Sequence, residues 1–133
     1  MMAGMTERAQ TGWWGVVLDA PDAGELARFY SELLGWPVAS SKPTWATVGP
    51  APGNPTTYLG FQTSAEYVRP VWPPADGQQQ QMLHLDIGVS DVGTAVAHAV
   101  AAGATPAEFQ PQDVVRVMLD PAGHPFCLYL DED

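Results

Sequence analysis

Two stretches of the chain repeat one design, an alternating strand that leads into the polar start of a helix. The first runs from Gly15 to Asp22 and the second from His84 to Asp91. From Leu83 to Val89 every second residue is apolar, so one strand face can join a core while the other carries polar groups. Each stretch ends in an Asp that can cap the next helix. A chain with this repeat is expected to fold as two related halves.

The elements after each stretch come in the same order in both halves. Apolar residues at helical spacing predict one helix per half, and Gly35 and Gly103 follow the helices at positions suited to a C-terminal cap. The predicted elements are strand 13–19, a helix from Pro21-Asp22 to Gly35, strands 36–40, 45–48 and 56–63, strand 82–89, helix 91–102, and strands 105–109, 114–119 and 125–130. Each half therefore has the order strand, helix, strand, strand, strand.

The chain has 133 residues, which suits one domain. A half of about 55 residues buries too little apolar surface to stand alone, so the halves should pack together. We predict an α+β fold of two βαβββ modules that form a curved mixed sheet around a central cleft. The predicted divisions are a disordered tail at 1–11 and one domain at 12–131, made of module one (13–64), a Pro- and Gln-rich connector (65–81) and module two (82–131).

Charge and composition exclude several classes of partner. Five Lys and Arg face fifteen Asp and Glu, so the negative field disfavours nucleic acid and favours cationic small molecules, although acidity also simply keeps proteins dispersed. No apolar run reaches the length of a membrane span, and a membrane partner is not expected. The single Cys127 cannot form an internal disulfide. We therefore predict a cytoplasmic protein.

Both halves resemble the vicinal oxygen chelate superfamily, which includes glyoxalase I, extradiol dioxygenases, fosfomycin-resistance enzymes and bleomycin-resistance binding proteins. In the first half the matching residues are Ala20-Pro21-Asp22 and Leu26 to Trp36; in the second they are His84 to Ile87, Asp91, Ala102-Gly103-Ala104 and Asp120 to Leu128. The similarity spans residues 13 to 131 and is greatest to the uncharacterised glyoxalase-like branch. It implies the paired-module fold and a homodimer.

The resemblance also implies where a metal would be bound. Enzymes of the superfamily usually hold a divalent ion with His or Gln, Glu, His and Glu on the inner strand faces. The matching places in this chain are Gly15, the strand around Tyr58 to Gln62, His84 and Cys127. Gly15 has no side chain and the second place offers no carboxylate, so only His84 is an ordinary ligand. No cofactor is expected; His84 and Cys127, with Gln62, are what remains for a soft metal, and Cys127 is otherwise a small buried side chain.

Strand alternation gives the residues expected to face the cleft. The predicted ligand-binding residues are Trp13, Asp19, Trp45, Tyr58, Gln62, His84, Asp86, Arg116, Met118 and Tyr129. Aromatic rings with a few charges suit a flat, partly polar ligand held by stacking. Arg116 could clamp a ligand carboxylate or neutralise Asp19 or Asp86, and Trp72 on the connector could cover the mouth. The alternative is that two halves or two subunits fill the cleft with these side chains.

These observations predict a metal-free protein that binds a small, aromatic and cationic molecule, in the manner of drug-sequestering proteins. No catalytic residue is assigned. The resemblance keeps an enzyme open as the alternative, either a lyase, an isomerase or a dioxygenase, with or without a metal. A non-catalytic interaction domain is the second alternative.

Overall fold

The computed structural model describes residues 13–50 and 57–132. Its elements are β1 (Trp14–Ala20), α1 (Ala23–Leu34), β2 (Val38–Lys42), β3 (Trp45–Val48), β4 (Thr57–Thr63), β5 (Leu85–Val89), α2 (Val92–Ala102), β6 (Thr105–Pro106), β7 (Val115–Leu119) and β8 (Pro125–Leu130). The predicted tail at 1–11 lies outside the described residues. Neither described helix has the length and apolar character needed to cross a bilayer.

The two modules have the same strand topology. The strand orders are β1-β4-β3-β2 and β5-β8-β7-β6. In each sheet the first strand runs parallel to the last, and the other neighbours are antiparallel. The predicted α+β fold of paired βαβββ modules is confirmed, with each module forming its own four-stranded mixed sheet.

Both helices begin where the sequence predicts. The Asp22 carboxylate accepts a hydrogen bond from the Glu25 backbone N–H at 3.1 Å, and Asp91 accepts one from Thr94 at 3.0 Å. These caps satisfy N–H groups that have no partner within the helix. Gly35, with φ of 71°, ends α1 in the left-handed conformation that glycine adopts without strain.

Helix α1 packs against both modules. The Tyr30 ring stacks on Phe61 of β4 with centroids 5.6 Å apart, and it meets Phe126 of β8 edge-on at 6.2 Å. All three side chains are fully buried. Burial of large apolar side chains makes the main favourable contribution to the folding free energy of a small domain. One aromatic core therefore joins the two sheets.

A buried carboxylate also links α1 to module two. Asp120, at the end of β7, accepts hydrogen bonds from the Tyr30 hydroxyl at 2.7 Å and from the backbone N–H of Ala122 at 2.9 Å. It also contacts Nδ1 of His124 at 2.8 Å. Burial, and then the Asp120 charge, raise the pKa of Tyr30 well above its ordinary value. The predicted turn at residues 120–123 is thus fixed to the helix of module one.

Several predicted strand bounds differ from the observed ones. The strand predicted at 105–109 is only Thr105–Pro106. Ala107 still donates to the Val117 carbonyl at 3.0 Å, but the Val117 N–H donates to the Gln110 side chain at 2.8 Å where a longer β6 would accept it. The strand predicted at 82–89 begins at Leu85, and the one predicted at 36–40 spans Val38–Lys42. The alternation of apolar and polar residues does not show where a side chain such as Gln110 ends a strand or where the connector stops, so it predicts strand ends poorly.

The predicted faces of β7 are inverted, which removes Arg116 and Met118 from the inner face. Met118 is fully buried in the core and pairs with Phe126, whereas Val117 pairs with Cys127. Arg116 donates to the Asp113 carbonyl at 2.9 Å and so holds the preceding loop. The predictions that Met118 and Arg116 face a ligand are therefore wrong. Because β7 has apolar residues on both faces, the alternation of its sequence does not show which face is the inner one.

Candidate functional site

Three of the predicted aromatic residues line one cavity on the face of the module-one sheet. Trp13, Trp45 and Tyr58 border a space of about 390 Å³, which we call the aromatic hollow. The other lining residues are Pro37, Ala39, Thr47, Gly49 and Pro50. Trp45 and Tyr58 are half-buried, while Trp13 is exposed. The structure thus brings together residues that are far apart in the sequence.

Two glycines make room for the rings of this hollow. A Cβ atom at Gly15 would lie 2.6 Å from Cε1 of Tyr58 and 2.6 Å from its carbonyl oxygen. A Cβ atom at Gly60 would lie 2.7 Å from Cη2 of Trp45. These distances are shorter than real contacts, so larger residues would displace the rings. The place where the superfamily resemblance implies a metal ligand, Gly15, is occupied by the Tyr58 ring.

Asp19 and Gln62 lie further along the same strands and engage each other. They are register partners on β1 and β4, and Nε2 of Gln62 donates to Oδ1 of Asp19 at 3.0 Å. Both side chains are exposed. Gln62 thus contacts Asp19 through its amide N–H group, and the third donor beside His84 and Cys127 is a different residue.

That third donor is Asp86. Nε2 of His84 lies 3.1 Å from Oδ1 of Asp86, and Asp86 is the register partner of Cys127 across β5 and β8. One donor atom from each of the three lies within 4.8 Å of the others. Matching to the superfamily pattern missed Asp86 as a metal donor, although a parallel pairing of β5 with β8 would have indicated it.

The local environment keeps Cys127 in its thiol form. Burial, and then the charge and hydrogen bond of Asp86, raise the pKa of the thiol. A thiolate is the form that binds metal and attacks electrophiles. The same carboxylate that could share a metal with Cys127 therefore opposes its ionisation while no cation is bound.

A smaller cavity of about 130 Å³ lies on the face of the module-two sheet. It is lined by Trp72, Gln81, His84, Pro111, Gln112, Val115, Val117 and Cys127. The Trp72 indole N–H donates to the Phe109 carbonyl at 3.1 Å, which fixes this connector residue in the cavity wall. Tyr129, also predicted to face a ligand, is 37% exposed. Its ring lies beside Gly88, where a Cβ atom would be 3.1 Å from its Cζ and hydroxyl atoms.

The residues do not fit the four-ligand metal site that the superfamily resemblance implies. Gly15 supplies no donor, and β4 contains no carboxylate. A stable Zn²⁺ site needs about three protein ligands or more, and module two offers His84, Asp86 and Cys127 without help from module one. Within the described residues, this is the one group of three or more His, Cys, Asp or Glu side chains close enough to share an ion.

Comparisons with known proteins agree on one family. A family model described as a glyoxalase-like domain matches residues 15–129. No curated protein matches the chain.

Solved structures share the fold at low sequence identity. A glyoxalase-related enzyme from Fulvimarina pelagi is 19% identical with a TM-score of 0.64, covering 93% of this chain and 89% of its own. A glyoxalase/bleomycin resistance protein/dioxygenase family enzyme from Burkholderia phytofirmans PsJN is 21% identical, with a TM-score of 0.59 and coverage of 86% and 94%. The trypanothione-dependent glyoxalase I of Leishmania major is 18% identical, with a TM-score of 0.59 and coverage of 92% and 87%. Identities this low establish the fold and leave the activity to the site.

Proposed function

The chain belongs to the glyoxalase-like domain family of the vicinal oxygen chelate superfamily, and from this premise we propose that it binds a small aromatic molecule without a metal. The single observation that carries the proposal is the ring of Tyr58 at the first expected metal position, over Gly15. Members of the family bind small-molecule ligands, so a cavity on the inner face is the natural binding place. In this chain aromatic rings occupy that place.

The aromatic hollow has the size and chemistry for a flat ligand. Its volume of about 390 Å³ falls within the range of small-molecule sites. Each favourable ring contact contributes about 0.5–1.5 kcal/mol beyond the area that it buries. No charged residue stands among its described lining residues. The ligand is therefore held by stacking, and the net charge of −10 favours neutral or cationic molecules over anionic ones.

We extend the proposal to a drug-sequestering role in the cytoplasm, carried out by a homodimer. The neighbour from Burkholderia phytofirmans is named for a family that includes bleomycin resistance proteins. Cys127 is a free thiol, which agrees with a reducing compartment. Sedimentation equilibrium tests the dimer, and a monomer at all concentrations would remove that part of the proposal.

Fluorescence titration with 2-naphthol in the presence of EDTA tests binding. Substituting Trp45→Ala or Tyr58→Ala should weaken binding by about ten-fold or more, because each substitution removes a stacking surface. The control is Trp14→Ala, an exposed tryptophan outside the hollow, which should change the affinity by less than about two-fold. Binding that occurs only when EDTA is left out, or equal effects of W14A and W45A, would contradict the proposal. No quenching with 2-naphthol would favour an interaction domain.

A metal-dependent enzyme is the second candidate, and the cluster of His84, Asp86 and Cys127 favours it. The cluster borders the module-two cavity through His84 and Cys127, so a bound ion would have space for a small substrate. An ion there would supply Lewis-acid chemistry. Metal analysis of protein purified without chelator discriminates the candidates. Near-stoichiometric Zn, Ni, Mn or Fe that is lost in His84→Ala would replace the metal-free proposal.

A further inference from the structure

A third cavity lies where β1, the connector and the start of module two meet. Its volume is about 380 Å³, and it shares no lining residue with the aromatic hollow. We propose that this junction cavity binds an organic ammonium ion that carries an apolar body. This site goes beyond the proposed function, because it requires neither Trp45 nor Tyr58.

The charges around the junction cavity favour a cation. The carboxylates of Asp19 and Glu66 line it, and none of its described lining residues is Lys or Arg. Asp19 accepts a hydrogen bond from Gln62, and a carboxylate has further lone pairs for a second donor. Clefts lined by one sign of charge concentrate the opposite ion, and the net charge of −10 adds to this field.

The aromatic groups of the wall are compatible with a bound cation. The Tyr67 ring lines the cavity and offers a surface for cation–π contact. His124 also lines it, and its Nδ1 lies 2.8 Å from the buried Asp120 carboxylate. The carboxylate of Asp120 therefore lies behind this imidazole, on the side of the wall that is buried.

Apolar side chains define the rest of the ligand. Val68, Met82 and Leu83 line the cavity and are 60%, 83% and 56% exposed. Together with the half-exposed Val17 they form an apolar patch that a ligand would remove from water. A cavity of about 380 Å³ has space for one aromatic ring on a short alkyl chain.

A matched series of probes tests the charge requirement. The probes are 4-phenylbutylammonium, 4-phenylbutanol and 4-phenylbutyrate, which differ in their head groups. Calorimetric titration should show the ammonium bound about ten-fold or more tightly than the alcohol, and the carboxylate weakest, because the cavity carries negative charge. Equal affinities for the ammonium and the alcohol would overturn the inference and would leave the aromatic hollow untouched.

Substitutions locate the site. Glu66→Gln and Asp19→Asn should each weaken ammonium binding by about three-fold or more and should affect binding of the alcohol less. The control Glu108→Gln removes the same charge from an exposed residue that does not line the cavity, and Trp45→Ala removes the other site. Both controls should retain ammonium binding. If E108Q is as damaging as E66Q, or W45A abolishes the binding, the inference is wrong.

A second copy of the chain is the competing occupant of this face. Sedimentation equilibrium with Met82→Ser and Leu83→Ser variants measures whether the patch holds a dimer together. Ammonium binding to the wild type supports the inference. A dimer that these substitutions dissociate, together with no ammonium binding to the wild type, would make the patch a self-interface and would overturn it.

Discussion

The two modules have one topology and two different inner faces. Gly15 in module one and His84 in module two both lie seven residues before the capping Asp of their helix. In module one the Tyr58 ring covers the glycine, and Trp45 covers a second glycine at 60. In module two His84 stands beside Asp86 and Cys127. The shared backbone topology therefore places equivalent positions on the inner faces of both modules. The residue at that position decides what gathers around it: glycine at 15 leaves room for an aromatic ring, whereas histidine at 84 lies beside two other possible metal donors.

Module two is fixed to helix α1 of module one through Asp120, which is buried and accepts from the Tyr30 hydroxyl. The corresponding connection of module one, between β3 and β4, lies largely in residues 51–56, outside the described part of the chain. Substitutions in the described strands and turns test how far the two modules differ.

The largest expected effect comes from Asp120→Ala. The substitution leaves the Tyr30 hydroxyl and two backbone N–H groups without their acceptor, so the free energy of unfolding should fall by about 3 kcal/mol or more. Urea denaturation measures the loss. Asp113→Ala, at an exposed carboxylate of the same module, is the control and should change it by about 0.5 kcal/mol or less. Equal losses would show that Asp120 does not join the modules.

Gly15→Ala tests the fit of the ring in module one. Its Cβ atom would approach the Tyr58 ring and carbonyl too closely, so unfolding should become easier by about 1–3 kcal/mol and 2-naphthol should bind more weakly. The control is Gly93→Ala in helix α2, where the nearest atom is 3.6 Å away. That change should stabilise the protein by about 0.5–1 kcal/mol, because alanine favours a helix. A neutral G15A would contradict the close packing.

Asp86→Asn tests the cluster of module two. Removing the charge of Asp86 should lower the pKa of Cys127, so more thiolate is present at pH 8 and alkylation by iodoacetamide should accelerate by about two- to ten-fold. Asp113→Asn is the matched control and should leave the rate unchanged. Alkylation that accelerates only when EDTA is added would instead indicate a metal on the thiol.

The smallest effect concerns pH. Burial, and then the Asp120 charge, raise the pKa of Tyr67 to about 12, so the folded state holds the phenol proton more tightly than the unfolded state. The contribution of the protonated Tyr67 hydroxyl to the stability of the fold is present in full below the pKa of about 10 in the unfolded chain. It is lost as the pH rises through about 12. Wild type should lose stability over this window more steeply than Tyr67→Phe in denaturation experiments. Equal slopes would contradict the assignment.

The sequence was informative where one local pattern decides the structure. The capping residues Asp22 and Asp91 and the module order follow from spacing, and the structure confirms them. Trp13, Trp45 and Tyr58, which were predicted on inner strand faces, line one cavity. Their roles toward a ligand stay predictions. Strand alternation predicts the inner faces of β1 and β4 correctly because the two faces differ in composition. In β4, for example, Tyr58 and Gly60 lie on one face and the apolar Leu59 and Phe61 on the other.

Sequence patterns did not predict the features that depend on tertiary contacts. In β7 the residues around Arg116 are apolar on both faces. The pairing of Val117 with Cys127 is what shows which residues of the strand point to the inner face. The junction cavity depends on the path of the connector, which has no periodicity, and Gln81 looks like any other glutamine in its run of four. Asp86 joins His84 and Cys127 through the register of β5 and β8.

The most direct test of the central claim is a backbone amide NMR titration of the EDTA-treated protein with 2-naphthol. If the aromatic hollow binds the ligand without a metal, the largest shifts should occur at Trp45, Tyr58 and Gly60, and their size should not depend on the chelator. Shifts centred on His84, Asp86 and Cys127 that appear only when a divalent ion is restored would contradict the account and would transfer the function to module two.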